Sequence, residues 1–255
     1  MKITVITVAY NSAATIADTL RSVAAQEHPD IEHIVIDGAS RDDTLDIVRR
    51  EGAHVARVVS EPDRGIYDAM NKGLQLATGD FVGFLNADDL YADPLAVSRI
   101  AEAAARPSVD AVFGDLVYVR GDDTSRVVRW WRSGPFQRRQ LAWGWMPPHP
   151  TFYVRRGLLQ ETGLAFDANL RISADYEFML RCLGRTGAQA AYVPHVLVRM
   201  RVGGVSNRSV PAVLRKMRED LFALRRNGVG GPVTLACKTL RKLPQLLSRP
   251  ADERT

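Results

Sequence analysis

The sequence predicts an α/β fold with a Rossmann-like, mostly parallel central sheet and helices on both faces. In the first half of the chain, short apolar and β-branched segments alternate with single segments of helical periodicity, which is typical of parallel βαβ units. The 255 residues also suffice for one such domain with an appendage, and the balance of charged and apolar residues is that of a globular protein.

The predicted elements follow one another in a regular order. The strands are ITVITVAY, HIVIDGAS, VARVVSE, DFVGFLN and VDAVFGDLVYV, and the helices between them are NSAATIADTLRSVAAQ, RDDTLDIVRREG, GIYDAMNKGLQLAT and a segment near 94–105. We expect Asn11 or Ser12 to cap the first helix, because their side chains accept hydrogen bonds from the free N–H groups of a first turn. Gly52 is expected to end the second helix.

Charge divides the chain into two parts. Residues 1–124 contain 11 Lys and Arg against 21 Asp and Glu, a net charge of −10, whereas residues 125–255 contain 23 against 8, a net charge of +15. This asymmetry indicates different partners for the two parts, although two solvated faces would give the same numbers.

The cysteines and the apolar segments bear on the compartment. Cys182 and Cys237 lie far apart and predict neither a disulfide framework nor a metal site, which fits a reducing compartment. The sequence contains no signal-peptide pattern and no apolar run of membrane-spanning length. We therefore expect a cytoplasmic protein.

Polar side chains follow the carboxyl ends of four predicted strands. They are Tyr10 and Asn11, Asp37, Glu61 to Arg64, and Asn86 to Asp89. Ligands of parallel sheets bind beyond these ends, so we expect a binding site at this edge. Helix capping would explain one or two such residues, but four strand ends together favour a site.

A diphosphate bound at this edge would need a cation between it and the carboxylates. No G-x-G-x-x-G follows the first strand and no G-x-x-x-x-G-K-[ST] is present, so a glycine loop does not bind phosphate here. Carboxylates repel phosphate, and a divalent cation must therefore lie between them. Mg²⁺ is bound in this way by one or two carboxylates together with substrate phosphates.

Five ordered motifs resemble those of family 2 glycosyltransferases of the GT-A fold. They are TVAYNS, VIDGASRDDT, EPDRGIYDAMNKG, GDFVGFLNADD and ISADYEFMLR, and the resemblance extends over roughly residues 2–207. It is greatest to bacterial enzymes of exopolysaccharide, O-antigen and glycolipid assembly. The resemblance implies a GT-A domain over 1–208, with a nucleotide-sugar half (1–124) and an acceptor and catalytic half (125–208). A basic helical extension follows over 209–255.

The resemblance also implies the residues that bind a nucleotide-sugar and a Mg²⁺ or Mn²⁺ ion. The implied nucleotide-sugar contacts are Thr7, Ala9, Tyr10, Asn11, Asp37, Asp63, Arg64, Asn71, Asn86, Ala87 and Asp88. Asn86-Ala87-Asp88 matches the family's D-x-D motif, in which the last acid binds the metal and the first position faces the ribose. Asn86 departs from the usual Asp but still offers a donor and an acceptor to a hydroxyl. We expect Asp89 to cap the following helix.

The resemblance places a general base at Asp175, in the segment SADYEF. Inverting hexosyl transfer needs such a base to accept the proton of the acceptor hydroxyl. From the residues alone, Asp175 is equally an N-cap with Glu177 as a first-turn partner of the helix dipole. We expect Glu177 to be structural.

The remaining candidates contact the acceptor or the diphosphate. They are His149, Trp143, Arg201 and Ser206, the last two in the segment RMRVGGVSN. The Trp- and Arg-rich segment over 130–156 fits a sugar-binding wall, base stacking or plain core. The family's processive members carry Q-x-x-R-W and membrane spans, which are absent here, so we expect addition of a single sugar.

The segment 213–249 contains nine Lys and Arg against Glu219 and Asp220, arranged as two basic helices with a hinge at 228–232. These helices either pack as solvated elements or bind an anionic membrane surface on the inner face of the cell membrane, where a lipid-linked or oligosaccharide acceptor would be available. UDP-sugars are the favoured donors, with GDP- and dTDP-sugars as alternatives. A nucleotidyltransferase and a non-enzymatic nucleic-acid-binding module are the alternative functions, and we expect no nucleic-acid partner.

Overall fold

The computed structural model describes residues 1–203 and 210–241. Within these residues one nine-stranded sheet has the order β3-β2-β1-β4-β8-β6-β9-β5, and β7 pairs with β6. The strands are β1 Ile3–Ala9, β2 Ile31–Asp37, β3 Val55–Ser60, β4 Phe81–Phe84, β5 Asp89–Tyr91, β6 Ala111–Val119, β7 Val127–Trp131, β8 Tyr153–Arg155 and β9 Ala190–Arg201. The helices are α1 Ile16–Ala24, α2 Thr44–Glu51, α3 Ile66–Leu76, α4 Ala96–Ala104, α5 Arg156–Thr162, α6 Ala174–Leu180, α7 Val210–Arg226 and α8 Pro232–Leu240.

The first half of the chain forms the parallel part of the sheet. Strands β3, β2, β1 and β4 run in one direction, and the last residue of β1, Ala9, lies opposite the last residue of β2, Asp37. The carboxyl ends of these strands therefore meet at one edge. The predicted alternation of strands and helices is confirmed.

Helices cover both faces of the sheet because β1 alternates its buried side chains between two cores. Val5 packs in one core with Val23 of α1 and Ile100 of α4. Ile6 packs in the other core with Met70 of α3. This arrangement confirms the predicted fold class and fixes the helices relative to the strand ends.

The second half of the chain completes the sheet with both strand directions. Strand β8 is antiparallel to β4 and β6, β9 is parallel to β6, and β5 is antiparallel to β9. Asp89 of β5 lies opposite Met200 of β9. The short turn between β4 and β5 thereby lies beside the end of β9.

The start of α1 differs from the prediction. Its N-cap is Thr15, and neither Asn11 nor Ser12 caps the helix. Asn11 has a φ of 50° and its Oδ1 accepts a hydrogen bond from the backbone N–H of Arg41 at 2.9 Å. Asn is among the few residues that adopt this left-handed conformation readily, so its side chain joins two loops of the rim instead. Gly52 is the C-cap of α2, as predicted.

The C-terminal segment is helical, as predicted, in α7 and α8. A break over 227–231 separates them, and Gly228 adopts a φ of 63° there. Helix α7 packs against α6, and α8 packs against the 3₁₀ turn Arg138–Trp143. No helix in the described part of the chain is long and apolar enough to cross a bilayer.

Candidate active site

Asp37 organises the loop after β2. Its buried carboxylate accepts hydrogen bonds from the Ser40 backbone N–H at 3.0 Å, the Ser40 hydroxyl at 2.5 Å and the Ser60 hydroxyl at 2.6 Å. Donors of the chain itself therefore surround the carboxylate, which holds the ends of β2 and β3 together at the rim.

Tyr10, Gly38 and Asp63 pack closely together at the same rim. A Cβ atom added to Gly38 would lie 2.4 Å from Oδ2 of Asp63 and 3.3 Å from the ring of Tyr10. The Tyr10 ring is 63% exposed, so one flat face is free to stack on a ring. Arg64 follows on the outside, where its guanidinium bonds Asp68 at 2.7 Å.

Two of the predicted nucleotide contacts are instead occupied inside the protein. The buried hydroxyl of Thr7 lies 2.9 Å from Nε2 of His33, beneath the rim. The amide of Asn71 donates to the carbonyl of Phe166 at 2.9 Å and accepts from its N–H at 2.8 Å. Both side chains therefore have partners within the fold, and their contact with a nucleotide stays a prediction.

His33 is a buried group that the sequence reading missed. Its Nδ1 lies 3.1 Å from Nε2 of His54, and the two rings stack. Burial, with a smaller contribution from the charge of His54, lowers the pKa of His33 to about 3. His33 is thus neutral at physiological pH and is the hydrogen-bond partner of the Thr7 hydroxyl.

The turn Asn86-Ala87-Asp88 lies at the end of β4. The amide of Asn86 donates to Oδ2 of Asp89 at 3.3 Å. Within the described residues, the buried Oδ1 atoms of Asn86 and Asp89 have no hydrogen-bond partner. Asp88 is half-buried beside them. Such a set of unsatisfied oxygens suits a hard cation.

The prediction for Asp89 is wrong. Asp89 begins β5 and is fully buried, whereas α4 starts after Leu95. Burial, and then the charge of Asp88, raise the pKa of Asp89 well above its ordinary value. The second acid of the motif therefore lies inside the sheet and is kept towards its neutral form.

Arg201 fixes the turn from the end of β9. Its buried guanidinium donates to the carbonyl of Asp88 at 2.9 Å and to Oδ2 of Asp18 at 2.5 Å. Arg201 thus orients the backbone of the predicted metal-binding residue. Ser206, predicted in the same segment, lies outside the described residues.

Asp175 lies in the first turn of α6. The N-cap of α6 is Ser173, so capping does not occupy Asp175. Its Oδ1 atom accepts hydrogen bonds from the Tyr67 hydroxyl at 3.3 Å and from the Tyr176 N–H at 2.8 Å. Glu177 is fully buried and pairs with Arg181 at 2.7 Å, as its predicted structural role requires.

Aromatic rings connect Asp175 with the end of β4. The His149 ring stacks on Phe84 with centroids 5.4 Å apart, and Phe166 lies edge-on to both. Burial lowers the pKa of His149, and the charge of Asp175 opposes this shift. The Tyr67 ring, whose hydroxyl contacts Asp175, stacks on Phe166 and completes the connection.

Trp143 lies away from these rings. Its side chain is 59% exposed, and its carbonyl accepts a hydrogen bond from Nε of Arg241, just after α8, at 3.0 Å. Trp145 is instead buried and donates its indole N–H to Ser133 at 3.0 Å. Of these two tryptophans, Trp145 is thus a core residue and Trp143 an exposed ring beside the C-terminal helices.

Tyr67 and Glu219 are site residues that the sequence reading missed. Tyr67 lies in the motif GIYDAMNKG, in which the sequence predicts a role only for neighbouring residues. The Glu219 carboxylate accepts hydrogen bonds from the backbone N–H groups of Arg171, Ile172 and Ser173 at 3.1, 2.8 and 2.9 Å. An acid in a strongly basic helix was the one available signal.

The fold and the rim define a class of protein. A sheet that begins with four parallel strands, with polar groups at their ends and an Asn-x-Asp turn after β4, is that of GT-A glycosyltransferases. The chain belongs to glycosyl transferase family 2, whose sequence profile matches residues 4–162.

Relatives support this assignment over nearly the whole chain. A PGL/p-HBAD biosynthesis glycosyltransferase of Mycobacterium bovis is 31% identical over 252 residues, 96% of this chain and 92% of the relative. An uncharacterized glycosyltransferase of Mycobacterium tuberculosis is 33% identical over 235 residues, 90% of this chain and 86% of the relative.

Solved structures share the fold at low sequence identity. TarS 1-349 of S. aureus, in complex with UDP-GlcNAc, has a TM-score of 0.70 and 21% identity, covering 90% of this chain and 66% of that chain. The mannosyltransferase PcManGT of Pyrobaculum calidifontis, in complex with GDP-Man and Mn²⁺, has a TM-score of 0.67 and 24% identity, covering 96% and 73%. Glucosyl-3-phosphoglycerate synthase of Mycobacterium tuberculosis, in complex with Mn²⁺, UDP and phosphoglyceric acid, has a TM-score of 0.63 and 23% identity, covering 91% and 79%.

Proposed function

We propose that the protein transfers one sugar, with inversion, from a nucleotide-sugar to a hydroxyl group of a glycan or glycolipid acceptor. The observation that carries this proposal is the position of Asp175. Its carboxylate accepts hydrogen bonds from Tyr67 and Tyr176. The Tyr67 ring stacks on Phe166, and Phe166 packs edge-on against Phe84 at the end of β4, the strand before the turn that is expected to hold the diphosphate.

In this proposal the donor lies along the rim of the parallel strands. Its base stacks on the exposed ring of Tyr10, beside Gly38 and Asp63, with Ala9 and Asn11 as neighbouring contacts. The ribose lies towards Asn86 and Ala87, and Arg64 borders the outer edge. UDP-sugars are the favoured donors. The complexes of TarS with UDP-GlcNAc and of PcManGT with GDP-Man support the class of nucleotide-sugars without choosing between bases.

The residues of the turn fit a divalent cation. In the described residues no cluster of three His, Cys, Asp or Glu side chains is present, so the chain alone does not enclose a metal. Mg²⁺ and Mn²⁺ need only one or two carboxylates when phosphates supply the other ligands. Asp88 would hold the ion, with the partnerless Oδ1 of Asn86 beside it. When bound, the ion supplies positive charge that stabilises the leaving diphosphate.

Asp175 carries the proton transfer in the proposed reaction. The carboxylate accepts the proton of the acceptor hydroxyl while the oxygen of that hydroxyl forms a bond to the anomeric carbon. The bond from the anomeric carbon to the diphosphate breaks on the opposite face. Tyr67 holds one carboxylate oxygen and leaves the other for the acceptor. His149, neutral and packed on Phe84, excludes water from the space between the acceptor hydroxyl and Asp175.

We further propose that the enzyme acts at the inner face of the cell membrane on a lipid-linked or oligosaccharide acceptor, in cell-surface polysaccharide or glycolipid assembly. The GT-A domain would extend over 1–208, and the basic extension over 209–255 would contact anionic lipid. Exposed Leu214, Met217 and Phe222 on α7 and Val233 on α8 supply the apolar surface that an interfacial helix needs. The named pathway of the mycobacterial relative supports a glycolipid setting.

Two substitutions test the proposed roles against a matched control. Asp175→Asn should reduce sugar transfer at least ~10²-fold and leave nucleoside diphosphate binding unchanged. Asp88→Ala should remove the increase in nucleoside diphosphate affinity that Mn²⁺ produces. Asp46→Asn, on the exposed face of α2, should change neither property. Full transfer activity in Asp175→Asn would contradict the assignment of the base.

The donor is identified by thermal unfolding with a panel of nucleoside diphosphates and nucleotide-sugars, each with and without Mn²⁺. A ligand that binds the native state raises the melting temperature by mass action. The proposal fails if no nucleotide-sugar raises it.

A further inference from the structure

A cavity lies beside the candidate base, on the side of the C-terminal helices. It has a volume of about 430 Å³ and lies between the start of α3, the segment 168–172 and the start of α7. Tyr67 forms part of its wall, and the hydroxyl of the same residue contacts Asp175 at 3.3 Å. One residue thus separates the cavity from the proposed site of proton transfer.

The cavity is strongly positive. Arg64, Arg171 and Arg215 line it against a single acid, Asp68, which is paired with Arg64. Among residues 1–203 and 210–241, the guanidinium groups of Arg171 and Arg215 form no ion pair. Two Arg side chains outside these ion pairs suit a phosphate or carboxylate, which they bind with paired N–H donors.

The hydrogen bonds of Glu219 explain why Arg215 forms no ion pair with it. The two residues stand one helical turn apart on α7, where an acid and a base normally pair. The Glu219 carboxylate is instead held by the N–H groups of Arg171, Ile172 and Ser173. The fold therefore directs the acid to the backbone and leaves the base for the cavity.

The rest of the lining is apolar. Leu170, Ile172 and the ring of Tyr67 form much of the wall, and Ile66 at its edge is 45% exposed. Apolar surface continues from the mouth onto the outside of α7, where Leu214 is 52% exposed. An anion with an attached apolar body would satisfy both parts of this lining.

We propose that this cavity binds the acceptor, and that the acceptor is an anionic amphiphile whose phosphate or carboxylate lies between Arg171 and Arg215. The proposal rests on the proposed function, because Asp175 must be the base for the cavity to hold an acceptor. The apolar body of the acceptor contacts Leu170 and Ile172. The acceptor hydroxyl extends past the side chain of Tyr67 to Asp175.

Calorimetric titration with three probes tests the chemistry. The probes are monomeric dodecyl phosphate, inorganic phosphate and the uncharged detergent dodecyl maltoside. We expect dodecyl phosphate to bind the intact chain about tenfold or more tighter than either of the others, since only it offers both the charge and the apolar body. Equal binding of inorganic phosphate would overturn the amphiphile, and equal binding of dodecyl maltoside would overturn the anion.

Two double variants of equal net charge locate the site. Arg171→Gln/Arg215→Gln should weaken dodecyl phosphate binding about tenfold or more, whereas Arg218→Gln/Arg225→Gln, outside the lining on α7, should not. Equal losses in both variants would place the probe on the basic surface at large and overturn the cavity.

A nucleoside diphosphate with Mn²⁺ is titrated into the same proteins. Both double variants should bind it as the unaltered chain does, because the cavity arginines are not required for donor binding. Absence of nucleotide binding in the unaltered chain would contradict the proposed function itself. Retained nucleotide binding without selective loss of dodecyl phosphate in the cavity variant contradicts only the cavity.

Discussion

The carboxylate of Glu219 accepts a hydrogen bond from the backbone N–H of Ser173 at 2.9 Å. Ser173 is the N-cap of α6, two residues before Asp175, and Glu219 belongs to α7. The same carboxylate also holds the N–H groups of Arg171 and Ile172. The C-terminal extension therefore sets the position of the proposed base through the segment that precedes it.

We predict that Glu219→Ala lowers kcat by about tenfold to a hundredfold, because small displacements of a catalytic group are costly. The affinity for a nucleoside diphosphate should stay unchanged, since Glu219 bonds the segment before α6 and the donor is expected at the strand ends. Steady-state kinetics and calorimetry measure the two quantities. Glu219→Gln, which keeps one acceptor oxygen, should recover part of kcat. Equal losses of kcat and nucleotide affinity would indicate general damage rather than positioning.

The contact between Gly38 and Asp63 gives a prediction about the donor. In Gly38→Ala the new methyl group would lie 2.4 Å from Oδ2 of Asp63, so the Asp63 carboxylate must move. We expect nucleoside diphosphate affinity to fall about tenfold, the cost of a misfit of about 1.4 kcal/mol. Gly121→Ala is the control, because its nearest neighbour is the Val202 carbonyl at 3.9 Å. Unchanged affinity in Gly38→Ala would remove Gly38 and Asp63 from the donor site.

The parallel half of the fold was predictable because its signals are local. Strand β1 and helix α1 each show their own period within a few residues, and the parallel order follows from their alternation. Residues whose roles depend on distant partners were misread. Asp89 looked like a cap because β5 has only three residues, and its strand partner Met200 lies far along the chain.

The candidate site could be proposed from sequence where a motif marks it. One motif contains the turn at Asn86, after the end of β4, and another contains Asp175, at the start of α6. Asn71 lies within a motif too, yet its amide is occupied by Phe166, 95 residues away. Glu219 belongs to no motif, and its three backbone partners are visible only in the folded chain. Sequence thus locates the rim, whereas long-range hydrogen bonds decide which side chains remain free.

Glu32 predicts the acid stability of the fold. Burial raises the pKa of its carboxyl, but hydrogen bonds from Thr4, Thr78 and Lys2 outweigh burial and lower it to about 2. A lowered carboxyl pKa stabilises the native state above the ordinary value of 4.5, and this contribution of about 3 kcal/mol is lost as pH falls towards 2.

Urea unfolding between pH 6 and pH 2 measures this contribution. We expect Glu32→Gln to be less stable at pH 6 and to show a flatter decline with acidification. Asp46→Asn, an exposed residue paired with Arg49, is the control and should keep the slope of the unaltered chain. An unchanged slope in Glu32→Gln would contradict the role of this carboxylate.

Lys238 predicts how firmly α8 is held. Its Nζ lies 2.8 Å from Oδ2 of Asp220, and each side chain is only 5% exposed. Burial lowers the pKa of Lys238 to about 7 against the charge of Asp220, so the pair is strongly desolvated. Lys238→Met would leave Asp220 buried with only the more distant Lys216 at 3.6 Å.

We therefore predict that Lys238→Met lowers the free energy of unfolding by about 3–5 kcal/mol, the cost of an uncompensated buried charge. Lys216→Met should cost less than about 1 kcal/mol, because Lys216 reaches solvent and its contact with Asp220 is longer. The double variant Lys238→Met/Asp220→Leu removes both charges and should recover much of the loss, which a double-mutant cycle measures. Equal costs for the two single variants would show that α8 is held by apolar packing, and that the pair does not fix this helix against α7.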